Sequence, residues 1–454
     1  MRGLICLAGI SFFSSMAAAG EVRWWISSED GSASLTEQPA LGWSPAAATP
    51  EIVVDAGTTY QSILGLGASF DHATCYNLSR LPEPVKSETI AALVDPEKGI
   101  GMSLMRLCIG TSDFTGDPWY SYNDLPEGQT DPELKYFSIG KDRVYMLPVI
   151  KQAQAINPDL KFFASVWSPP GWMKTNGSML AGKLKPEHYG VFSRYLVKYV
   201  QAYAAEGVPV LAVTPQNEPH FPNPAYPTTG YRAPEMLALI RDHLGPVFER
   251  ELPGTEIWCW DHNWNEPEFP TTILSDPTAY NYVDGTAFHL YEGKPEAQTE
   301  LRNAFPEKPI YFTEGSTFWT RGAVQIVDIL RNWARSYNAW VVMLDEDRKP
   351  NNGPHNASQT CVELLRDGTV RYNFDYYMYG HFMKFIRPGA VRLGSPEGSF
   401  RFTNVAFRNP DGRCALVVVN ASSEPRTFSV GSGEHSFEAT LPKRSLATFS
   451  WEME

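Results

Sequence analysis

Short apolar runs alternate with stretches of helical periodicity from about residue 60 to about residue 345. Apolar runs bounded by turn residues are typical of buried strands, and strands that alternate with helical patterns predict parallel β–α–β units. The number of these runs is the number that closes a (β/α)₈ barrel. We expect the strands at Ile63–Phe70, Met102–Gly110, Leu160–Trp167, Val208–Pro215, Glu256–Asp261, Val283–Tyr291, Pro309–Thr313 and Ala339–Leu344.

The clearest helical pattern lies between Pro186 and Glu206. Aromatic and aliphatic residues recur there at three- and four-residue spacing, as they do on the buried face of a helix. Pro186 suits a first helical turn, and Gly207 suits the position after the last turn. The pattern therefore predicts a helix that covers the barrel.

The pattern changes after about residue 388, where short strands are separated by turn residues. Such strands are typical of an antiparallel sandwich. Residues 20–58 contain similar short strands and are expected to join it. The predicted fold class is α/β, with a (β/α)₈ catalytic barrel over residues 59–387 and a small β-sandwich built from residues 388–454 and the N-terminal strands.

Residues 1–19 have the pattern of a cleaved secretory signal. Arg2 supplies the positive start, Leu4–Phe13 the apolar stretch and Ala17–Ala19 the small-residue cleavage site. The apolar stretch is shorter than the roughly 20 residues that span a bilayer. We therefore expect a secreted or periplasmic protein without stable membrane insertion.

Length, charge and cysteine count narrow the classes of function. A chain of 454 residues has room for a barrel and an accessory domain. The net charge of −13, without a Lys/Arg-rich stripe, argues against nucleic acid as a partner, and no obligate protein partner is predicted. Removal of the signal leaves an odd number of cysteines without metal-site spacing, so at most one or two disulfides are expected.

Two of the predicted strands run into a glutamate. Val208–Pro215 leads into Asn217-Glu218-Pro219, and the strand at Pro309–Thr313 leads into Glu314. The carboxyl ends of barrel strands share one face, so these two carboxyl groups can meet. A retaining glycosidase needs two carboxyls about 5–5.5 Å apart, one as acid and base and one as nucleophile. For either glutamate alone, a salt bridge at a strand end is the alternative.

The chain resembles glycoside hydrolase family 30, and within it the glucosylceramidase-like group. The matching stretches include Gly65–Asp71, Ala164–Gly177, Val213–Pro219 and Phe312–Gly315. The resemblance implies a retaining β-glycosidase that hydrolyses β-glucosidic bonds in a carbohydrate or glycolipid, without cofactor or metal. Within the family, the resemblance favours glucosylceramidase as the specific activity.

The resemblance also implies roles for the residues at the strand ends. Glu218 would be the acid/base and Glu314 the nucleophile. Tyr291 would orient Glu314, and Arg106 would keep it ionised. An apolar setting and the charge of Glu314 are expected to raise the pKa of Glu218, because the acid must start protonated.

The remaining candidates concern the sugar. Asn217 would bind the 2-hydroxyl group, while Asp113 and Trp167 would hold the far hydroxyl groups of the same ring.

Three weaker candidates, Asp71, Asp261 and His289, are expected to line the pocket. Asp71 could instead cap a helix, and His289 could be a structural histidine. Asp261-His262 resembles a metal pair, but no third ligand follows at suitable spacing, so no metal site is predicted.

One departure from the family concerns the leaving group. Glucosylceramidases often carry a Trp near the end of strand eight, and here that stretch reads Val341–Asp345, followed by a polar loop. Loops at this face of a barrel shape the leaving-group side. An endo- or exo-β-1,6-glucanase is therefore the alternative. A non-catalytic carbohydrate-binding barrel would be expected to lack one of the two carboxylates.

Overall fold

The structure is a computed structural model that describes residues 20–45, 49–354, 357 and 359–453. The secretory signal expected at residues 1–19 lies outside the described residues. Within the described residues, no helix combines the length and the apolar character that crossing a bilayer requires.

The strands fall into an N-terminal group, a barrel group, a small sheet beside the barrel and a C-terminal group. In chain order they are β1 (Val22–Ser28), β2 (Thr36–Leu41), β3 (Ser44–Pro45), β4 (Ile52–Ser62), β5 (Gly65–Ala68), β6 (Leu104–Ile109), β7 (Lys161–Val166), β8 (Val210–Thr214), β9 (Glu256–Asn263), β10 (Gly285–His289), β11 (Ile310–Glu314), β12 (Ser336–Ala339), β13 (Met343–Asp345), β14 (Val362–Leu364), β15 (Val370–Tyr372), β16 (Val391–Gly394), β17 (Phe402–Arg408), β18 (Arg413–Asn420), β19 (Arg426–Ser432), β20 (His435–Leu441) and β21 (Ser445–Glu452).

Most of the helices lie between successive barrel strands. In chain order they are α1 (His72–Arg80), α2 (Glu83–Val94), α3 (Met146–Ile156), α4 (Tyr189–Ala205), α5 (Ala233–Leu239), α6 (Gly245–Glu251), α7 (Glu268–Leu274), α8 (Pro277–Tyr282), α9 (Glu296–Ala304), α10 (Trp319–Arg331) and α11 (Phe374–Met383). The helix predicted between Pro186 and Glu206 is confirmed as a 3₁₀ turn followed by α4, and Gly207 follows it with a φ of 83°.

The barrel strands close on themselves. Strands β6 to β11 pair in chain order as one parallel sheet, and β12 pairs with β5. Bridges between Ser69 and Arg106 and between Gly315 and Ala339 join the two sheets. Within the described residues, eight parallel strands thus form the barrel, and the predicted (β/α)₈ architecture is confirmed.

The eighth barrel strand was predicted in the wrong place. The apolar run Ala339–Leu344 suggested it, but the barrel strand is β12, Ser336–Ala339, and Met343–Asp345 belongs to the small separate sheet. The strand contains the polar Asn338, which is buried and donates to two backbone carbonyls of neighbouring strands. A short strand with a buried polar amide has a weak hydrophobic signal, which explains the error.

The N-terminal strands join the C-terminal sandwich, as predicted. Strand β1 pairs antiparallel with β21, and β4 lies between β16 and β19 in a sheet that contains all strands from both chain ends. His381 of α11 hydrogen-bonds to Ser27 and Thr448 of this sheet, each at 2.9 Å. The sandwich is therefore tied to the barrel by buried polar contacts as well as by packing. The domain boundaries themselves stay predictions.

No disulfide links the described cysteines, which lies within the expected limit of one or two. Each is buried and free, at Cys75, Cys108, Cys259, Cys361 and Cys414. They lie in the cores as small apolar side chains, which is the common environment of an unpaired cysteine.

Candidate active site

Glu218 and Glu314 both lie at the carboxyl face of the barrel. Glu314 is the last residue of β11, and Glu218 follows the end of β8 by four residues. Glu218 has a φ of 49°, and its backbone N–H donates to the carbonyl of Asp261 at 3.0 Å. A left-handed backbone at a residue other than glycine costs about 1–3 kcal/mol and is concentrated at functional sites.

His289 contacts both carboxyl groups. Its Nδ1 lies 3.1 Å from Oε1 of Glu218 and 4.0 Å from Oε1 of Glu314. These two oxygens are therefore no farther apart than the sum of the two distances, about 7.1 Å. This upper bound accommodates the separation of about 5–5.5 Å that retaining glycosidases require.

Glu314 is fixed by two donors. The hydroxyl group of Tyr291 donates to its Oε1 at 2.8 Å, and Nη1 of Arg106 donates to its Oε2. Arg106 is fully buried, and its Nη2 donates to Oδ1 of Asn217 at 2.8 Å and to Oδ2 of Asp261 at 2.9 Å. Burial opposes the charge of Arg106, but Asp261 and Glu314 raise its pKa above the ordinary value.

A hydrogen-bonded chain runs from Asp261 through His289 to Glu218. Nε2 of His289 lies 3.0 Å from Oδ1 of Asp261. Burial works against a charged His289, but the charges of Glu314 and Asp261 raise its pKa to about 9. Burial likewise acts to raise the pKa of Glu218, but contacts with His262 and His289 hold it below its ordinary value.

The raised pKa expected for Glu218 is therefore not observed. Burial and the charge of Glu314 were expected to dominate, but the contacts with His262 and His289 act in the opposite direction. The lowered pKa of Glu218 and the raised pKa of His289 favour the proton on His289 in this pair. An acid step through Glu218 must draw on that proton.

A cavity of about 370 Å³ opens above the two glutamates. Asp113, Trp167, Asn217 and Tyr291 line it with them, as expected. Aromatic walls with a few polar groups suit a small polar ligand that stacks on rings, such as one sugar unit.

Asp113 is held against the loop that follows β13. The backbone N–H groups of Asn352 and Gly353 donate to its carbonyl at 3.0 and 3.2 Å. A Cβ at Gly353 would lie 2.4 Å from Cβ of Asp113, so a glycine permits this approach. Burial, and then the charge of Glu314, raise the pKa of the Asp113 carboxyl to about 8.

Replacing Asp113 by Asn is expected to raise the free energy of unfolding and to lower kcat/KM. A carboxyl with a raised folded-state pKa stabilises the chain only below its unfolded pKa, and that contribution is lost as pH rises towards about 8. The amide in the variant Asp113→Asn would not ionise, so the free energy of unfolding at pH 7 should increase, by up to about 4 kcal/mol. Chemical unfolding between pH 4 and 8 measures this increase. The kcat/KM of the variant should be lower than that of the parent.

The same change at the exposed Asp411 is the control and should alter neither quantity. A variant Asp113→Asn that is less stable than the parent at neutral pH would contradict the role of burial at this position.

Asp71 does not line the pocket, contrary to expectation. It caps α1, where its carboxylate accepts from the backbone N–H of Thr74 at 3.0 Å and from the hydroxyl group of Ser69 at 2.7 Å. Asp261 and His289 lie beneath the pocket, where they contact its lining residues. Of the three weaker candidates, two thus support the glutamates from below.

Sequence reasoning missed Trp340. It directly follows β12, lines the pocket and stacks on Trp167 with ring centroids 5.2 Å apart. The guanidinium of Arg106 lies 4.8 Å from the Trp167 ring and 5.6 Å from the Trp340 ring. The predicted eighth strand extends past the end of β12, so the stretch taken as its end begins at Val341, one residue after Trp340. The departure inferred for this position is therefore wrong.

His262 was set aside as half of a superficial metal pair. It lines the pocket, and its Nδ1 lies 3.6 Å from Oε1 of Glu218. Among the described residues, one group of side chains could hold a metal ion, namely Glu218, His262 and His289, whose ligand atoms lie within 4.8 Å of one another. No spacing rule would find this group, because Glu218 follows β8, His262 lies in β9 and His289 ends β10.

Comparison with known proteins places this geometry in a family. Residues 63–386 match the TIM-barrel domain of glycosyl hydrolase family 30, and residues 389–449 match the β-sandwich domain of the same family. The chain is 32% identical over 423 residues to endo-1,6-β-D-glucanase neg1 of Aspergillus fumigatus, covering 86% of this chain and 85% of that protein.

Two further proteins extend the comparison. The lysosomal acid glucosylceramidase of Mus musculus is 28% identical over 425 residues, covering 86% of this chain and 81% of that protein. The solved structure of the endo-β1,6-glucanase BT3312 superposes with a TM-score of 0.87 at 28% identity, covering 96% of this chain and 99% of that one. With its barrel and its sandwich both matched, the chain belongs to glycosyl hydrolase family 30 and is a glycoside hydrolase.

Proposed function

We propose that the protein is a retaining β-glycosidase that cleaves β-1,6-glucan by double displacement. The observation that carries the proposal is the approach of Glu218 and Glu314 to one histidine nitrogen on the floor of one pocket. The substrate is supported by the similarity to the two endo-1,6-glucanases.

In the first step Glu314 attacks the anomeric carbon while Glu218 protonates the glycosidic oxygen. The bond to the leaving sugar breaks, and an ester to Glu314 forms. Arg106 and Tyr291 orient Glu314 through their hydrogen bonds. Glu218 draws its proton from His289 across their 3.1 Å contact.

In the second step the charge of Glu314 is absent, because its oxygen is esterified. One of the charges that raise the pKa of His289 is then lost. Glu218, unprotonated after the first transfer, takes a proton from water as the water oxygen attacks the same carbon. The ester bond to Glu314 breaks and frees its carboxylate, and the proton on Glu218 returns to His289. Two inversions give retention of configuration.

Three pocket residues are proposed to bind the sugar. Asn217 accepts from Arg106 through Oδ1, so its amide nitrogen is the group that can donate to the 2-hydroxyl. Asp113 and Trp167 line the same cavity and are proposed to hold the far hydroxyl groups. These contacts place the anomeric carbon between the two glutamates.

Replacing Glu218 by Ala is expected to lower kcat/KM on unactivated β-glucosides by about 10²–10⁴-fold, the usual contribution of a general acid. Substrates with good leaving groups need less protonation, so their first step should be nearly unaffected. Azide should restore turnover of such substrates and give a β-glycosyl azide, because a small anion fits where the carboxylate was removed. Product analysis with and without azide checks this, and an α-azide product would contradict the assignment.

A second candidate substrate is glucosylceramide. Trp340 occupies the position after strand eight that the resemblance associates with that activity, and the mouse glucosylceramidase is similar over most of the chain. Parallel product analysis on a linear β-1,6-glucan and on glucosylceramide decides between them. Release of β-1,6-linked oligosaccharides without glucose release from the lipid supports the proposal, and the reverse overturns it.

We also propose that the chain is exported, from the signal pattern of residues 1–19. The mature protein isolated from the medium or periplasm should begin near Gly20, which N-terminal sequencing measures. Retention of Met1 in an intracellular protein would contradict export.

A further inference from the structure

Three side chains converge on the floor of the pocket. Oε1 of Glu218 lies 3.6 Å from Nδ1 of His262 and 3.1 Å from Nδ1 of His289. A tetrahedral zinc ion with ligands at about 2.0–2.1 Å separates those ligands by about 3.3 Å. These two distances lie on either side of that value, and the ligand atoms of all three residues lie within 4.8 Å of one another. A side-chain rearrangement that draws the three atoms together would admit an ion.

His262 offers an unused ligand atom. The residue is 6% exposed, and its Nδ1 has no hydrogen-bond partner among the described residues. A buried polar atom left unpaired costs about 1–3 kcal/mol, and such atoms are where a bound ion or water is expected. A metal ion on this nitrogen would satisfy it.

His289 is already oriented as a metal ligand. Its Nε2 hydrogen-bonds to Asp261 at 3.0 Å, and its Nδ1 faces Glu218. A carboxylate on the far nitrogen of a histidine is the arrangement that fixes the ring in zinc sites. Arg106 pairs with Asp261 and Glu314, whereas Glu218 lies against His262 and His289. A divalent ion displaces the proton of His289, and the three carboxylates then outnumber the single guanidinium, which favours a cation.

We propose that Glu218, His262 and His289 bind one divalent transition-metal ion of the zinc type, and that this ion reversibly inhibits the enzyme. A carboxylate bound to the ion cannot carry the proton for the leaving group. The ion also occupies the floor on which the sugar ring rests, so metal and sugar exclude each other. The inhibition rests on the proposed function, whereas the binding does not.

The test is a titration of the full chain with Zn²⁺ by calorimetry and with Co²⁺ by visible absorption, which reports ligand type and geometry. The parent is expected to bind a single ion with nitrogen and oxygen ligands. His262→Asn should lower the affinity at least about tenfold. The same change at His220, which pairs with Glu266 outside the cluster, is the matched control and should leave the affinity unchanged.

A glucose-configured iminosugar gives a second measurement on the parent alone, in case His262→Asn does not fold. It should displace Co²⁺, and Zn²⁺ should raise KM for an aryl β-glucoside without lowering kcat. Absence of saturable binding, equal affinity in His262→Asn, thiolate bands from the buried cysteines, or simultaneous binding of ion and iminosugar would overturn the proposal. Since binding is read without turnover, its failure leaves the assignment of Glu314 untouched.

Discussion

Replacing Glu314 by Gln is expected to reduce kcat/KM on an aryl β-glucoside by at least about 10⁴-fold, because loss of a covalent nucleophile removes the main reaction path. The amide keeps the shape of the side chain but cannot attack or hold a negative charge. The donors Arg106 and Tyr291 would then face a neutral group. Steady-state kinetics with a chromogenic substrate measures the loss.

The matched control is Glu307→Gln, at an exposed position before the opposite end of the same strand β11. It should retain the activity of the parent. Glu314→Gln activity within about tenfold of the parent, in protein with a normal unfolding transition, would contradict a covalent role.

Replacing Arg106 by Met is expected to destabilise the fold by about 3–5 kcal/mol, the typical cost of removing one partner of a buried ion pair. Methionine fills much of the space, but Asp261 and Glu314 lose their shared counter-charge in a fully buried setting. Denaturant unfolding at neutral pH measures the change. Arg106→Lys keeps the charge and should lose less.

Arg143→Met is the control, because Arg143 pairs with Glu206 on the surface, where its side chain is 58% exposed. An exposed pair contributes about 0–1 kcal/mol, so this variant should unfold close to the parent. If Arg106→Met were as stable as Arg143→Met, the ion pairs of Arg106 beneath the pocket would not stabilise the fold.

Much of the fold was readable in the sequence because the barrel repeats one simple pattern. Apolar runs located seven of the barrel strands. The positions of Glu218 and Glu314 at strand ends predicted that their carboxylates meet at one face of the barrel. The eighth strand was misplaced because Asn338 interrupts its apolar pattern with a buried amide, which donates to the carbonyl of Leu104. Because of that error, Trp340 fell one residue outside the stretch predicted to end the strand.

The direction of the pKa shift of Glu218 could not be predicted from the sequence in the same way. His262 lies within β9 and His289 ends β10, and only the closed barrel brings both to Glu218. Their contacts reverse the direction of the pKa shift expected from burial and like charge. Asp71, in contrast, has a role that nearby sequence indicates. A polar residue directly before a helix is a local signal for a cap, and Asp71 caps α1 in the structure.

The account depends on a covalent bond between Glu314 and the sugar. A 2-deoxy-2-fluoro-β-glucosyl fluoride should form this ester quickly and hydrolyse slowly, because the fluorine destabilises both transition states while the good leaving group favours the first step. Mass spectrometry of the digested protein is then expected to show one glycosylated peptide with the label on Glu314. A label on Glu218 or another residue, or no label in protein that still cleaves β-glucosides, would contradict double displacement through this glutamate.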